Sequence, residues 1–267
     1  MGWLDALARR PRPADAPPPA ADDPMPAALA AATRGDYAEA LALWEPLARA
    51  GHARAQNNIG ACFAEGLGVA RDPVLAARWL TLAAEAGDPV GQRNLAALHF
   101  RGEGVPEDFR RAAALYRQAA DAGDGPAQDM LSWMLLEGEL MPSDPAEALR
   151  LAHLAAAQGV ASAMTRIGML HHNALGLDRD AAEAARWWHR AAAAGDADGQ
   201  AMLGAALHLG AGVARDGVAA LAWLLRADAG GSELAAPFLV PARAALDPAG
   251  VAEAERRAAA PIAEDAP

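Results

Sequence analysis

The sequence of 267 residues contains one cysteine, Cys62, and no lysine, so all 23 of its basic residues are arginine. A single cysteine cannot form an internal disulfide framework, and it excludes a zinc site built from cysteine ligands. No apolar run approaches the roughly 18 residues that a membrane-spanning helix needs. Aromatic residues make up only 5% of the chain. Because strands favour β-branched and aromatic side chains, this alanine- and leucine-rich composition predicts helices rather than sheets.

The charge balance is acidic, with a formal net charge of −11. A protein that binds nucleic acid needs a basic field to neutralise phosphates, so we expect no nucleic-acid partner. The first ten residues are too short and too polar to supply the apolar core of a signal peptide. Since no export signal is recognised and the one thiol would stay reduced, we expect a cytoplasmic location.

Residues 1–24 are predicted to form a disordered tail and a proline-rich linker. Seven prolines fall within residues 11–26, and such a stretch favours an extended, poorly ordered chain. Ahead of it, Trp3, Leu4 and Leu7 could share one face of a short helix. That face would suit a membrane surface or a groove on a partner. The alternative interpretation is a frayed tail that binds nothing.

Residues 25–232 are dominated by an internal repeat of 36 residues. Glycine recurs at this spacing six times, and aspartate recurs at another phase five times without exception. A fixed period of this size is typical of a repeat architecture. The glycines are Gly51, Gly87, Gly123, Gly159, Gly195 and Gly231, and the aspartates are Asp72, Asp108, Asp144, Asp180 and Asp216.

Each repeat contains the start and stop signals of two helices. Asp72 can cap a first helix, and Pro73 follows at a position where a missing N–H costs nothing. Gly87 can adopt the left-handed conformation that ends a helix. Asp88 then caps a second helix, which ends near Gly102. The pattern predicts antiparallel pairs of helices, each about 13 residues long, joined by short turns.

Small and large side chains recur at fixed positions of the first helix of each pair, where the first helix is the one that Asp72 and its equivalents cap. Alanine stands where this helix should meet its neighbour, since small side chains let helix axes approach closely. Another position carries a large side chain that we expect to be buried, and a single pair cannot cover both faces without stacking on neighbours. The large residues are Leu43, Trp79, Leu115, Leu151, Trp187 and Trp223.

The periodicity fades after Ser232. Residues 233–267 are therefore predicted to form a C-terminal helical cap and tail, because the outer repeats of an array are atypical. Asp247 and Pro248 open the last predicted helix, which runs through Val251 to Ala260.

Two motifs resemble those of Sel1-like repeats, which are relatives of tetratricopeptide repeats. They are the pattern Ala-x-x-Trp-Trp-x-x-Ala-Ala-x-x-Gly-Asp-x-x-x-Gln from Ala184 to Gln200 and the loop Gly-x-Gly-Val from Gly66 to Val69. The resemblance covers about residues 35–231. It implies an all-α fold, a right-handed α-solenoid of antiparallel helix pairs that serves protein–protein contact. The family has no shared catalytic residue, and the disulfides of its secreted branch are not supported by a chain with one cysteine.

Side chains that could support catalysis or bind a metal are explained better by packing. His171 lies in phase with Phe63 and Leu207 of other repeats, which favours a structural role. His153 and His189 lie one period apart, too far for a shared ion without a third ligand. No serine stands in a nucleophile motif, and no glycine-rich loop has the setting of a phosphate loop. We predict no metal, no cofactor and no enzymatic activity.

Basic side chains recur on the helix face that packing leaves free. Counting back from each repeat glycine, the positions nine, six and five residues before it hold mostly arginine and histidine. In tetratricopeptide-like arrays the first helix of each pair lines the concave surface, so a basic stripe is expected there. The stripe consists of Arg78, Arg117, Arg150, His153, Arg186, His189, Arg190 and Arg226.

Arginine recognises carboxylates in a bidentate manner, so the expected ligand of this stripe is an acidic peptide or a C-terminus. The alternative interpretation is that these arginines pair with neighbouring aspartates and glutamates along a solvated face.

Two functions agree with these patterns. The favoured one is a monomeric, non-catalytic adaptor or scaffold that binds protein segments on its concave surface. The other is a regulatory module that the N-terminal amphipathic segment tethers to a membrane surface or a membrane complex. A fold analogy by itself establishes neither function.

Overall fold

The computed structural model describes residues 24–262. Within this range the chain forms fourteen α-helices, one short 3-10 helix and no β-strand. The chain divides into two compact units between Ala127 and Gln128. The helices are α1 Met25–Thr33, α2 Tyr37–Arg49, α3 Ala53–Glu65, α4 Pro73–Glu85, α5 Pro89–Arg101, α6 Phe109–Asp121, α7 Gly125–Glu137, α8 Pro145–Ala157, α9 Ala161–Asn173, α10 Ala181–Ala193, α11 Ala197–Leu209, α12 Gly217–Ala229, α13 Ala236–Ala244 and α14 Pro248–Ala259. The predicted all-α class, a solenoid repeat of paired helices, is confirmed.

The predicted tail and linker fall almost entirely outside the described residues. This applies to the apolar face of Trp3, Leu4 and Leu7, so the tether to a membrane surface stays a prediction. Residues 263–267 also lie outside the described range. Within residues 24–262, no helix is both long enough and apolar enough to cross a membrane.

Aspartate caps fix the start of most helices. Asp72 Oδ1 accepts a hydrogen bond from the backbone N–H of Leu75 at 3.0 Å, and Asp144 Oδ1 accepts one from Glu147 at 3.0 Å. Each bond satisfies one of the N–H groups that the first turn of a helix leaves open. The same type of bond is formed by Asp36, Asp88, Asp108, Asp124, Asp180, Asp196, Asp216 and Asp247.

Left-handed residues fix the ends of the helices. α4 spans 13 residues, and Gly87 follows it with a φ of 82°; α5 also spans 13 residues and ends at Gly102, with a φ of 65°. These ends are those that the sequence predicts. At the end of α9 the left-handed position is held by Ala174, with φ 57° and ψ 41°. A residue with a Cβ pays about 1–2 kcal/mol for this conformation.

Small residues on one helix admit a large side chain of the next. In the first unit, a Cβ added to Gly60 of α3 would lie 2.7 Å from Leu80 Cγ of α4. In the second unit, a Cβ added to Gly168 of α9 would overlap the indole of Trp188 on α10. Close packing of this kind makes the core sensitive to any added volume at these two positions.

The position predicted to bury a large side chain does so only in some repeats. Trp79 is buried, whereas Trp187 and Trp223 are only half-buried. In α10 the core place is taken by the next residue, Trp188, which is 2% exposed. Adjacent residues on a helix point about 100° apart, so Trp187 and Trp188 lie on different sides of α10, and only the second of them is buried.

Further contacts join alternate helices, α3 to α5 in the first unit and α9 to α11 in the second. Asp88 caps α5 by accepting from Gly91 N–H at 2.7 Å, and it also accepts from Arg54 Nε of α3 at 2.8 Å. Asp196 caps α11 and accepts from Thr165 Oγ1 of α9 at 2.6 Å. One carboxylate therefore serves both the start of its own helix and the contact with the preceding repeat.

After α12 the described chain forms one 3-10 helix and two further α-helices. The 3-10 helix Glu233–Ala235 leads into α13, and α14 packs against α12 with Ala254 fully buried. Asp247 Oδ1 accepts from Gly250 N–H at 2.7 Å and so fixes the start of α14. The last predicted helix is present, over Pro248–Ala259.

Candidate functional site

The predicted basic residues are divided between the two units. Arg78 on α4 is exposed and Arg117 on α6 is half-buried, and both belong to the first unit. The remaining six belong to the second unit. They are Arg150 and His153 on α8, Arg186, His189 and Arg190 on α10, and Arg226 on α12. We call the five on α8 and α10 the basic surface.

Two arginines of the basic surface pair with glutamates one helical turn away. Arg150 donates from Nε and Nη2 to the two carboxylate oxygens of Glu147, at 2.7 and 2.9 Å. Arg186 Nε donates to Glu183 Oε2 at 2.8 Å. For these two residues the pairing with neighbouring carboxylates is therefore observed. Exposed pairs of this kind contribute little to stability, so both guanidinium groups can be shared with a ligand at small cost.

Arg226 is engaged in the C-terminal cap. Its Nη2 donates to the carbonyl oxygens of Arg257 and Ala260, at 2.6 and 2.5 Å. These carbonyls stand at the end of α14, where no further helical N–H is available to them. The guanidinium of Arg226 thus stabilises the last helix, and its carbon atom also lies 5.4 Å from the ring centroid of Trp223 on the same helix as Arg226.

Trp187 contacts two residues of the basic surface. The imidazole of His153 meets its indole edge to face, with the ring centroids 5.3 Å apart. The guanidinium carbon of Arg190 lies 4.1 Å from the centroid of the same indole. A cation–π contact holds a cation in place without neutralising it. Within residues 24–262, Arg190 pairs with no carboxylate, so its charge is open to a ligand.

The pKa values of the two titrating groups beside Trp187 are both lowered. Burial lowers the pKa of His153 below its ordinary value of 6.5; His171 and Arg190 lower it further, and Glu183 opposes them. The imidazole is therefore neutral at pH 7. The hydrogen bond from Arg186 lowers the pKa of Glu183, with a smaller contribution from a hydrogen bond donated by Trp187. The carboxylate is ionised and held in place by its two donors.

A pocket of about 530 Å³ opens between α10, α11 and α12. Arg186, His189 and Arg190 line the side formed by α10, and the exposure of both arginines places them at its mouth. The side chains that line the rest are apolar, and no acidic residue of the described chain is among them. They are Ala182, Ala185, Leu203, Leu207, Val213, Ala219 and Trp223, with Gly212. We call this the α10–α12 pocket.

Sequence reasoning identifies the basic residues of this region but misses the tryptophans beside them. Trp187 and Trp223 follow the phase of buried side chains, and the sequence assigns both to the core. A signal was present for Trp187, because Trp188 follows it directly and the two must face different directions. Leu224 follows Trp223 in the same way and is fully buried, but the place of Trp223 in the wall of the pocket depends on how α11 and α12 pack.

His171 and His172 follow one another near the end of α9, and both are half-buried. His172 packs on the indole of Trp188, with ring centroids 5.4 Å apart. Within residues 24–262, no three side chains of the metal-ligating types lie close enough together to hold an ion.

Six consecutive segments of the chain match the Sel1 repeat family, over residues 31–52, 53–88, 89–124, 125–160, 161–196 and 197–231. A Sel1 repeat protein from Oxalobacter formigenes has a similar fold, with a TM-score of 0.78 and 23% identity over 91% of this chain and 100% of the other. An immunity protein from Pseudomonas aeruginosa matches with a TM-score of 0.55 and 17% identity, over 81% and 85% of the two chains. No curated protein matches the sequence.

The matched segments set the phase of the repeat. Segments 53–88, 89–124, 161–196 and 197–231 each begin where α3, α5, α9 and α11 begin. The helices that carry the basic residues, such as α4 and α10, are then the second helix of each segment. The predicted concave location counts these helices as the first of each pair, and it stays a prediction.

Proposed function

The chain belongs to the Sel1 repeat family, whose members are generally protein-interaction scaffolds, and from this premise we propose that it binds an acidic segment of a partner protein on the basic surface of α8 and α10. In this proposal the protein is a non-catalytic scaffold. The basic surface supplies the recognition, and the repeats hold its side chains at fixed spacing.

The observation that carries the proposal is the state of Arg190. Its guanidinium is exposed, lies on the indole of Trp187 and has no carboxylate partner within the described residues. An arginine positioned in this way offers a planar set of donors that matches a carboxylate. Because the chain as a whole carries a net charge of −11, a local cationic surface favours one orientation of an acidic partner over others.

The pairs of Arg150 with Glu147 and of Arg186 with Glu183 support the same ligand. In both pairs the hydrogen bonds to glutamate restrict the arginine side chain. Binding then has less side-chain entropy to remove. The guanidinium of Arg186 keeps further N–H groups that can donate to an incoming carboxylate. The surface is thus partly organised before the partner arrives.

The proposal can be tested with random dodecapeptides displayed on phage and selected on the full chain. We expect the selected peptides to be enriched in aspartate and glutamate. The substitutions Arg186→Glu and Arg190→Glu should each weaken a selected peptide at least about tenfold, as measured by fluorescence anisotropy, because each reverses a charge that contacts it.

Arg78→Glu is the matched control. Arg78 stands three repeat periods before Arg186, is also exposed and lies in the first unit, so its reversal should change the affinity less than twofold. An equal loss for Arg78→Glu and Arg186→Glu would indicate general attraction between charges and contradict a local site. Selected peptides without acidic residues would contradict the proposal as well.

A further inference from the structure

The α10–α12 pocket lies directly beside Arg190, in the second unit. We infer that it holds a large apolar side chain of the partner, such as leucine, phenylalanine or tryptophan, next to the acidic residue that the basic surface binds. The inference rests on the proposed function and specifies its ligand: an acidic segment with one apolar anchor.

The shape and lining of the pocket favour an apolar anchor. Its volume of about 530 Å³ is in the range of pockets that enclose a ligand group. Leu203 and Leu207 of α11 and Val213 of the loop supply apolar surface, and Trp223 of α12 adds the carbon atoms of its indole, whose N–H is the one hydrogen-bonding group among these four side chains. An apolar side chain that meets this carbon surface gains burial without leaving a polar group unpaired.

The charges at the mouth restrict which apolar segment can bind. Arg186, His189 and Arg190 all stand on the α10 side, and the lining contains no acidic residue within the described chain. A segment with basic residues beside its anchor would be repelled, whereas an adjacent aspartate or glutamate would meet the guanidinium groups. Anchor and charge together give a specificity that neither supplies alone.

The pocket owes its size to small residues on its walls. Ala185, buried on α10, lines it. Other repeats carry leucine at the equivalent position, Leu41, Leu149 and Leu221, so the fold accepts the larger side chain there. A leucine at residue 185 would occupy space that the anchor needs.

Ala185→Leu is the decisive variant, and Ala77→Leu is its control. Ala77 is the equivalent residue three periods earlier and is equally buried, at 4% against 5% exposure. We expect Ala185→Leu to weaken the selected dodecapeptides at least about tenfold, and Ala77→Leu to change their affinity less than twofold. Leu207→Phe narrows the pocket from α11, where the smaller pocket of the first unit has Phe63 at the equivalent position, and should act like Ala185→Leu even if the latter fails to fold.

A double-mutant cycle connects the pocket with the peptide residue. Replacing the apolar residue of a selected peptide by serine should weaken binding to the unchanged protein by about as much as Ala185→Leu does. The same replacement should cause little further loss in the Ala185→Leu protein, because the contact is already absent.

The outcomes separate this inference from the proposal beneath it. If the pocket-filling variants bind normally while Arg190→Glu loses binding, the scaffold proposal stands and the anchor inference is overturned. If all of these variants bind normally, both fail. Selected peptides that are acidic but contain no apolar residue also overturn the inference.

Discussion

Two pockets at equivalent positions of the repeat, one in each unit, differ in size and in charge. The α10–α12 pocket measures about 530 Å³, and its counterpart beside α2 and α3 measures about 310 Å³. Most lining residues of the smaller pocket lie four periods of 36 residues before those of the larger. Gly68 and Val69 correspond to Gly212 and Val213, so each pocket is bordered by the equivalent loop of its own repeat.

The side chains that differ explain the volumes. Leu41 and Phe63 line the first pocket where Ala185 and Leu207 line the second. The two larger side chains occupy space in the first pocket that stays open in the second. The backbone frame is shared, and the volume is set by two variable positions.

The charges at the mouth differ as well. Ala42 and Glu45 stand where the second pocket has Arg186 and His189. Glu45 accepts a hydrogen bond from Arg49, one turn later, at 2.5 Å. The first pocket thus has an alanine and a glutamate at the places where the second has an arginine and a histidine. The comparison teaches that the fixed positions of a repeat build the frame, while binding chemistry is assigned by the residues that vary between repeats.

The largest effect on stability is expected at Gly212, in the loop between α11 and α12, because this loop touches the first residue of α10. A Cβ at Gly212 would overlap the backbone carbonyl of Ala181, and the φ of 74° is unfavourable for alanine. Gly212→Ala should therefore lower the free energy of unfolding by about 3 kcal/mol or more. At Gly68 the nearest atom, Tyr37 Cβ, lies 2.7 Å away, so Gly68→Ala should cost less. Urea unfolding followed by circular dichroism measures both.

Gly87→Ala separates strain from overlap in that experiment. Gly87 has a φ of 82° and no atom within 4 Å of its added Cβ, so only the left-handed backbone is penalised, by about 1–2 kcal/mol. If Gly212→Ala costs no more than Gly87→Ala, the loop does not frame the second pocket as tightly as the comparison requires.

A smaller effect on stability is expected at the left-handed residues that end α3, α9 and α11. α3 and α11 both end at a left-handed glycine, Gly66 and Gly210, whereas α9 ends at Ala174. Ala174→Gly should raise the free energy of unfolding by about 1 kcal/mol, because it relieves the left-handed alanine. Gly210→Ala should lower it by a similar amount. If both variants unfold with the same free energy as the parent, a left-handed alanine costs no stability at these helix ends, and the prediction is wrong.

The smallest effect is a pH dependence of stability that His153, in the second unit, should cause. The folded pKa of His153 is lowered from 6.5 by burial first, then by His171, with Glu183 opposing and Arg190 adding to it. The unfolded chain then binds more protons than the folded one as the pH falls below 6.5, so this histidine reduces stability on acidification. His153→Gln should therefore lose less thermal stability than the parent between pH 7.5 and pH 5. An unchanged loss would mean that His153 titrates normally.

The local structure could be predicted from the sequence in detail. Asp88 and Gly102 predict the limits of α5, and the structure has that helix over Pro89–Arg101. Caps and left-handed glycines act within one turn, so their effect can be derived from neighbouring residues alone. The 36-residue phase then extends each local prediction to the other repeats.

The candidate site could be predicted only in part, because it depends on packing between helices. The sequence identifies Arg186 and Arg190 as basic, but the pocket between them and Trp223 requires the positions of three helices. The bonds from Arg226 to the end of α14 connect the last repeat to residues where the periodicity has faded, so no phase argument could find them. Whether a tryptophan faces core or pocket is likewise decided by its neighbours in space.

The aspartates shared between a helix start and the preceding repeat determine how the array comes apart. Asp88 and Asp196 each lose one of their two partners when the repeat before them opens, and the first turn of the following helix is then less well anchored. Unfolding of one repeat therefore destabilises the repeat that follows it. Within each unit, neighbouring repeats should protect their amide hydrogens from exchange together rather than one by one.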